Sequence, residues 1–198
     1  MILRFLIDSS GSMSGEPLRK VHEMLVDFIK LLHKNIKREE KVLIQMLSYN
    51  IKPVEVIDGE LSHIWTRSNG INLEMGYHLY RTPYFEDVGY GPKNLGEALK
   101  NVNNYMTLSD LLVIFTQGGP SDILEFKCQI NKTKNLNKKI IIFHGKLKRI
   151  ELLSKLTDNI FSWDIYDPNT LYSFLENGVY IDSHELPLPP KVIELTIL

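Results

Sequence analysis

Apolar and polar positions along this chain follow two rhythms: short unbroken apolar runs, and longer stretches in which apolar residues return every three or four positions. Residues 5–7, 111–115 and 140–143 are runs of the first kind, as expected for parallel strands buried on both faces. Residues 42–47 read as a second strand, and 54–57, reached through Asn50-Ile51-Lys52-Pro53, as a short edge strand. The second rhythm is clearest after Pro17, where Leu18, Val21, Leu25, Phe28, Ile29 and Leu32 fall on one helical face, with the proline suited to the first helical position. Further helices are predicted over 95–105, near 149–156 and from Asp167-Pro168 onward, with a short strand around 160–163. Strands alternating with helices imply a three-layer, doubly wound α/β unit. Its sheet should be mostly parallel, with one short antiparallel edge strand and helices on both faces. Residues 1–183 form one domain in this reading. Residues 184–198 form a Pro-rich tail that Leu186-Pro187-Leu188-Pro189-Pro190 keeps extended.

The most informative stretch is the end of the first strand, Phe5-Leu6-Ile7-Asp8-Ser9-Ser10-Gly11-Ser12-Met13-Ser14-Gly15. A buried strand that stops at Asp8 and turns through Ser and Gly into a helix gathers one carboxylate and the hydroxyls of Ser10 and Ser12 above the sheet's carboxyl edge. A hard cation such as Mg²⁺ needs only a few protein oxygens of this kind, because it keeps several waters. In doubly wound sheets ligands bind at that edge, where the winding direction reverses.

Asp8-Ser9-Ser10-Gly11-Ser12 resembles the Asp-x-Ser-x-Ser motif of von Willebrand factor type A (vWA) domains. Their metal-ion-dependent adhesion site binds Mg²⁺ and an acidic group of a partner. Ser14-Gly15-Glu16-Pro17-Leu18 is similar to the first helix start of the bacterial tellurium-resistance TerY-like members. Asn94-Leu95-Gly96-Glu97-Ala98-Leu99 resembles the helix start after the family's metal-binding threonine. Residues 112–120, ending Thr116-Gln117-Gly118-Gly119-Pro120, resemble the strand and loop that carry its second aspartate. What the resemblance implies is a non-catalytic protein-binding module, associated in TerY-like proteins with tellurium-resistance, stress or phage-defence systems.

Two positions depart from that pattern. Lys93 stands where the family has threonine and Gln117 where it has aspartate. A single carboxylate then faces any divalent ion, with a fixed ammonium beside it. One charge pair at ~4 Å is worth about 4 kcal/mol at an effective dielectric of about 20. Asp8, Ser10 and Ser12 are therefore read as a remnant site that holds Mg²⁺ weakly or not at all. The expectation is that Lys93 pairs with Asp8 and hydrogen-bonds Ser10, Ser12 or the Gln117 amide oxygen. Two other arrangements stay open: a shifted loop that turns Lys93 to solvent, or Asp87 or Asp122 approaching as a second carboxylate. Lys93, Gln117, Tyr90 and Gly118 are the candidate partner contacts, with a partner's acidic group received at this edge.

Composition narrows the field. The 198 residues carry 23 Lys plus Arg against 24 Asp plus Glu, a net charge of −1, which gives no pull toward nucleic acid or membrane. Cys128 is the one cysteine, so no internal disulfide forms. Ile2–Ile7 is too short, and broken by Arg4, to be a signal or membrane segment; cytoplasmic residence is the default. Residues 126–155 contain nine basic residues and one acidic residue, read as a solvated face in preference to a phosphate-binding stripe. Tyr77, Tyr80, Tyr84, Phe85 and Tyr90 on one irregular stretch suit either an interface or local packing. The alternative function is a nucleotide- or phosphate-binding protein or enzyme using the Ser10–Gly15 loop. The loop lacks the Gly-Lys-Ser/Thr ending of a phosphate loop, and no base is identifiable for Ser10. Of the six histidines, His144 alone ends a central strand.

Overall fold

The computed structural model describes residues 1–35, 41–50, 53–60, 91–105, 107–145 and 150–177. Their strands form a single sheet of six in the order β3-β2-β1-β4-β5-β6. The strands are β1 (Ile2–Asp8), β2 (Leu43–Tyr49), β3 (Pro53–Glu60), β4 (Leu111–Thr116), β5 (Ile140–His144) and β6 (Ile160–Ser162). β2, β1, β4, β5 and β6 are parallel, and β3 pairs antiparallel to β2, with a register shift at Met46/Leu47. The helices are α1 (Glu16–Asn35), α2 (Leu95–Tyr105), α3 (Ile123–Leu136), α4 (Ile150–Leu153) and α5 (Pro168–Asn177).

Strand alternation sends side chains into two cores. Leu3, Phe5, Ile7, Val113, Phe115, Ile141 and Phe143 pack under α1 and α5. Leu6, Leu112, Ile114, Ile140 and Ile142 pack under α2, α3 and α4. All six apolar positions that set the periodicity of α1 are buried. Such a helix is held mainly by this face, since propensity alone leaves isolated helices marginal.

Several boundaries differ from the sequence reading. β3, expected as a short strand over 54–57, runs over the eight residues Pro53–Glu60, and β2 continues to Tyr49. α1 begins at Glu16, so Pro17 is its second residue. α4 is one turn, Ile150–Leu153, instead of two. Trp163 leaves the last strand for a 3₁₀ turn, Trp163–Ile165, which Ser162 caps by accepting from Asp164 N. α3, read from sequence only as a basic stretch, is a full helix. It buries Phe126, Ile130 and Thr133, and Thr133 joins Asn103 of α2 in a buried hydrogen-bonded pair. Tyr77–Tyr90, Asp87 and the Pro-rich tail lie outside the described residues. Among the described residues no helix is long and apolar enough to cross a membrane.

Candidate functional site

β1 ends at Asp8, β4 at Thr116, and the chain winds away from this pair in opposite directions, so their carboxyl ends form the switch point of the sheet. Asp8 is fully buried there. Its Oδ1 accepts from Ser10 N at 2.9 Å. Its Oδ2 accepts from Gln117 N at 3.1 Å and Thr116 Oγ1 at 3.3 Å. The fourth neighbour is the Lys93 ammonium, 3.4 Å from the same Oδ2, on a side chain only 12% exposed. At an effective dielectric of about 20 that pair is worth about 5 kcal/mol of direct attraction before desolvation.

The loop that presents Lys93 is held on both sides. Lys93 N donates to Ser121 Oγ at 3.1 Å, and Ser121 N donates back to Lys93 O at 2.8 Å. Asn94 N donates to Asn50 O at 2.9 Å. Asp122 then reaches across to the start of α2, accepting from Gly96 N at 3.0 Å and Glu97 N at 2.8 Å. Burial holds the Asp122 carboxyl above the usual carboxylate range, and those two N–H groups offset only part of that rise. Satisfying orphan helix N–H groups is the ordinary work of a capping aspartate, here done from another part of the chain.

Of the arrangements left open by sequence, the buried pair is the one found. Lys93 does not turn to solvent, and Asp122 caps α2 instead of restoring a second carboxylate. The expected ammonium contacts to Ser10, Ser12 and Gln117 are not made. Ser10 Oγ and Ser12 Oγ bond each other at 3.1 Å, and the Gln117 amide oxygen is buried with no hydrogen-bond partner among the described residues. Ser10 sits just before a 3₁₀ turn, Gly11–Met13, in which Ser12 is exposed. The carbonyl of Gly118, at φ +125, lies 2.6 Å from Thr116 Oγ1 and competes with Asp8 Oδ2, at 3.3 Å, for that hydroxyl's single proton. Tyr90 lies outside the described residues.

Sequence reasoning missed Tyr49, which ends β2 fully buried beneath the site. Burial first, and the negative charges of Asp8 and Asp122 after it, push its hydroxyl well above the usual tyrosine range, against a loose contact from Thr116. The hydroxyl has no partner of good geometry among the described residues. An unpaired buried hydroxyl costs about 1–3 kcal/mol, so Tyr49→Phe should leave stability unchanged or raise it by about 1 kcal/mol in urea unfolding. A loss larger than about 1 kcal/mol would make that hydroxyl a strut of the site. The signal was available: Tyr49 follows an apolar strand in register with Asp8.

The residues present do not fit a divalent ion. The set offers one carboxylate, already engaged through both oxygens, and two hydroxyls bonded to each other. An ion placed about 4 Å from the ammonium would meet a repulsion of about 8 kcal/mol at the same dielectric. Among the described residues no cluster of three or more His, Cys, Asp and Glu side chains could hold a metal elsewhere.

The other candidates come apart in space. Within the basic stretch, Lys132 binds Asn104, Lys138 pairs with Asp110 at 2.7 Å, and Lys139 donates to the closing carbonyls of α5 at Phe174 and Leu175. Lys139 thus meets the carbonyl end of α5 and Lys138 neutralises Asp110, while Lys132 bonds a neutral amide. His144 is buried at the end of β5, opposite Thr116 in register.

No protein-family model and no curated protein matches the sequence; solved structures do. Proximal thread matrix protein 1 from the mussel byssus superposes with a TM-score of 0.57 at 14% identity, over 88% of this chain and 43% of that one. The protein BatB from Bacteroides thetaiotaomicron gives 0.56 at 10% identity, over 82% and 89%. A von Willebrand factor type A structure from Catenulispora acidiphila gives 0.55 at 12% identity, over 88% and 41%. This chain thus spans less than half of the mussel and Catenulispora chains. A further structure of the mussel protein carries zinc in its adhesion-site motif. At such identities the likeness establishes fold alone: the chain has the α/β fold of von Willebrand factor type A domains.

Proposed function

We propose that this protein is a non-catalytic protein-interaction module that engages its partner at the carboxyl edge of the sheet, around Asp8, Lys93 and Gln117. The observation that carries the reading is the double clip between the Lys93 loop and Ser121-Asp122, which fixes a polar surface at the switch point and, among the described residues, brings no nucleophile beside a base. Ser10 Oγ faces another hydroxyl, not a base, so the nucleophile–base geometry of covalent catalysis is lacking there. Beside the clip, Leu124 stands 81% exposed in the first turn of α3, an apolar side chain available to a partner. Neither Mg²⁺ nor another cofactor takes part in this reading. With a protein as partner, the module would act in a bacterial tellurium-resistance, stress-response or phage-defence system, a setting that rests on the resemblance of the sequence motifs to TerY-like chains alone.

The phosphate-binding alternative is disfavoured by the loop itself. α1 opens with Glu16 in its first turn, a negative charge where a phosphate would need to approach. The two readings separate in one experiment. Immobilised protein should retain a partner from lysate of its source cells, and Leu124→Glu should reduce the retained amount at least severalfold. Retention indifferent to Leu124→Glu, together with a rise in melting temperature in ATP or inorganic phosphate, would replace the module with a nucleotide-binding protein.

A further inference from the structure

Four of the five large apolar side chains that stand exposed among the described residues, Met1, Leu43, Tyr105 and Leu108, gather at the amino-terminal edge of the sheet. Leu43 N donates to Met1 O, and Asp110 N to Ile2 O, both at 2.9 Å, so the starts of β2, β1 and β4 bring Leu43, Met1 and Leu108 into one row. Tyr105 closes α2 three residues before Leu108. Leu108 is 57% and Tyr105 81% exposed. Apolar side chains scattered singly over a surface need no explanation, whereas a group of them marks a face that something covers.

The sequence supplies an occupant of fitting character. In residues 186–198, Leu186, Leu188, Val192, Ile193, Leu195, Ile197 and Leu198 are large and apolar. Pro187, Pro189 and Pro190 exclude a helix over the first half. Ile193, Leu195 and Ile197 then alternate with Glu194 and Thr196, the period of an extended segment with one apolar side. Left in water, a β-prone segment of such low net charge invites association with other chains.

The same segment departs from the right place. Lys139, just before β5, donates to the carbonyls of Phe174 and Leu175, so the closing turn of α5 lies at the amino-terminal edge. Only β4 separates β5 from β1, a span of about 10 Å at the usual strand spacing, and β2 lies about 5 Å further. The nine steps from Asn177 to Leu186 reach up to about 30 Å when extended. Such a tether gives an effective concentration on the order of millimolar, so a contact too weak to join separate molecules still closes within one.

We propose that residues 186–198 dock across the amino-terminal edge of their own chain, with Ile193, Leu195 and Ile197 set against Met1, Leu43, Tyr105 and Leu108. The tail is then a cover for that edge, and it leaves the carboxyl edge, at the far end of the parallel strands, clear for a partner.

The test uses the whole chain, labelled at Ile, Leu and Val methyl groups, and reads nuclear Overhauser contacts. Methyls of Ile193, Leu195 or Ile197 should show contacts to those of Leu43 and Leu108, with intensities per molecule unchanged on tenfold dilution. Ile193→Asp combined with Leu195→Asp should abolish the contacts and shift the amide resonances of Leu43, Tyr105 and Leu108, while those of Asp8 and Gln117 stay in place. Leu108→Asp, at an exposed position, should release the segment from the other side, seen as a fall in the backbone heteronuclear Overhauser effect of residues 192–198 to the values of a free terminus. Contacts found only between differently labelled molecules would make a second copy the occupant and overturn the proposal. So would tail methyls that contact another part of the domain, or a segment that moves as freely in the native chain as in Leu108→Asp.

Discussion

Gly96→Ala should cost about 3 kcal/mol or more in urea or thermal unfolding, among the largest effects available from a single methyl group in this protein. A Cβ built at Gly96 would lie 2.3 Å from Phe126 N, 2.7 Å from the Glu125 carbonyl carbon and 2.8 Å from Asp122 Oδ2. Two of those atoms are backbone in the first turn of α3, so no rotamer change can make room and α3 must move as a body. Overpacking of a tight contact typically costs about 1–3 kcal/mol, and more when backbone is displaced. Here the displacement would also strain the Asp122 bonds to Gly96 and Glu97 and the Ser121 clip on Lys93. Gly15→Ala is the control. Gly15 has φ +79 and nothing within 4 Å of its Cβ position, so only the left-handed conformation is penalised, at about 1–2 kcal/mol. If Gly96→Ala proves no worse than Gly15→Ala, the close approach of α2 and α3 is wrong.

That contact also marks where sequence reading stopped. α1 was legible because its buried residues repeat without interruption, and β4 and β5 because strands covered on both faces are apolar at every position. α3 was not, because only Phe126, Ile130 and the polar Thr133 face inward. Thr133 is bound to Asn103 across the helix pair, so the helical period is carried partly by polar residues that a hydrophobic pattern does not count. The role of Asp122 was hidden for a different reason. A cap ordinarily sits next to the helix it caps, whereas Asp122 caps a helix that begins 27 residues earlier in the chain, at Leu95. The Lys93–Asp8 pair was legible because the motifs fixed which loop meets which strand end, and charge then left few partners for a buried carboxylate. The mutual bond of the serines, and the isolation of the Gln117 oxygen, depend on side-chain directions that spacing does not encode.

Lys93→Thr combined with Gln117→Asp should convert a protein indifferent to Mg²⁺ into one stabilised by it. In the native protein the ammonium and Asp8 neutralise each other, and a divalent ion would have to displace or tolerate a positive charge a few ångström away. The double substitution removes that charge and places a second carboxylate next to Asp8. Without metal, two like charges then share a buried site with no counter-ion, so the variant should be less stable than the native protein by several kcal/mol, the usual cost of stripping a buried charge of its partner. With Mg²⁺ at a hundred times its dissociation constant, binding to the folded state alone recovers about 2.7 kcal/mol, read as a rise in melting temperature that EDTA reverses. The native protein should show the same melting temperature in Mg²⁺ and in EDTA. Stabilisation of the native protein by Mg²⁺ would mean that Lys93 yields its position to the ion, and the buried pair would then be a resting arrangement of a metal site instead of its replacement. Each single substitution should fall short: Gln117→Asp alone adds a carboxylate beside the ammonium and tightens the internal pairing, and Lys93→Thr alone clears the position but leaves one carboxylate to hold a doubly charged ion. Metal response confined to the double variant would therefore locate the loss of metal binding in these two positions acting together.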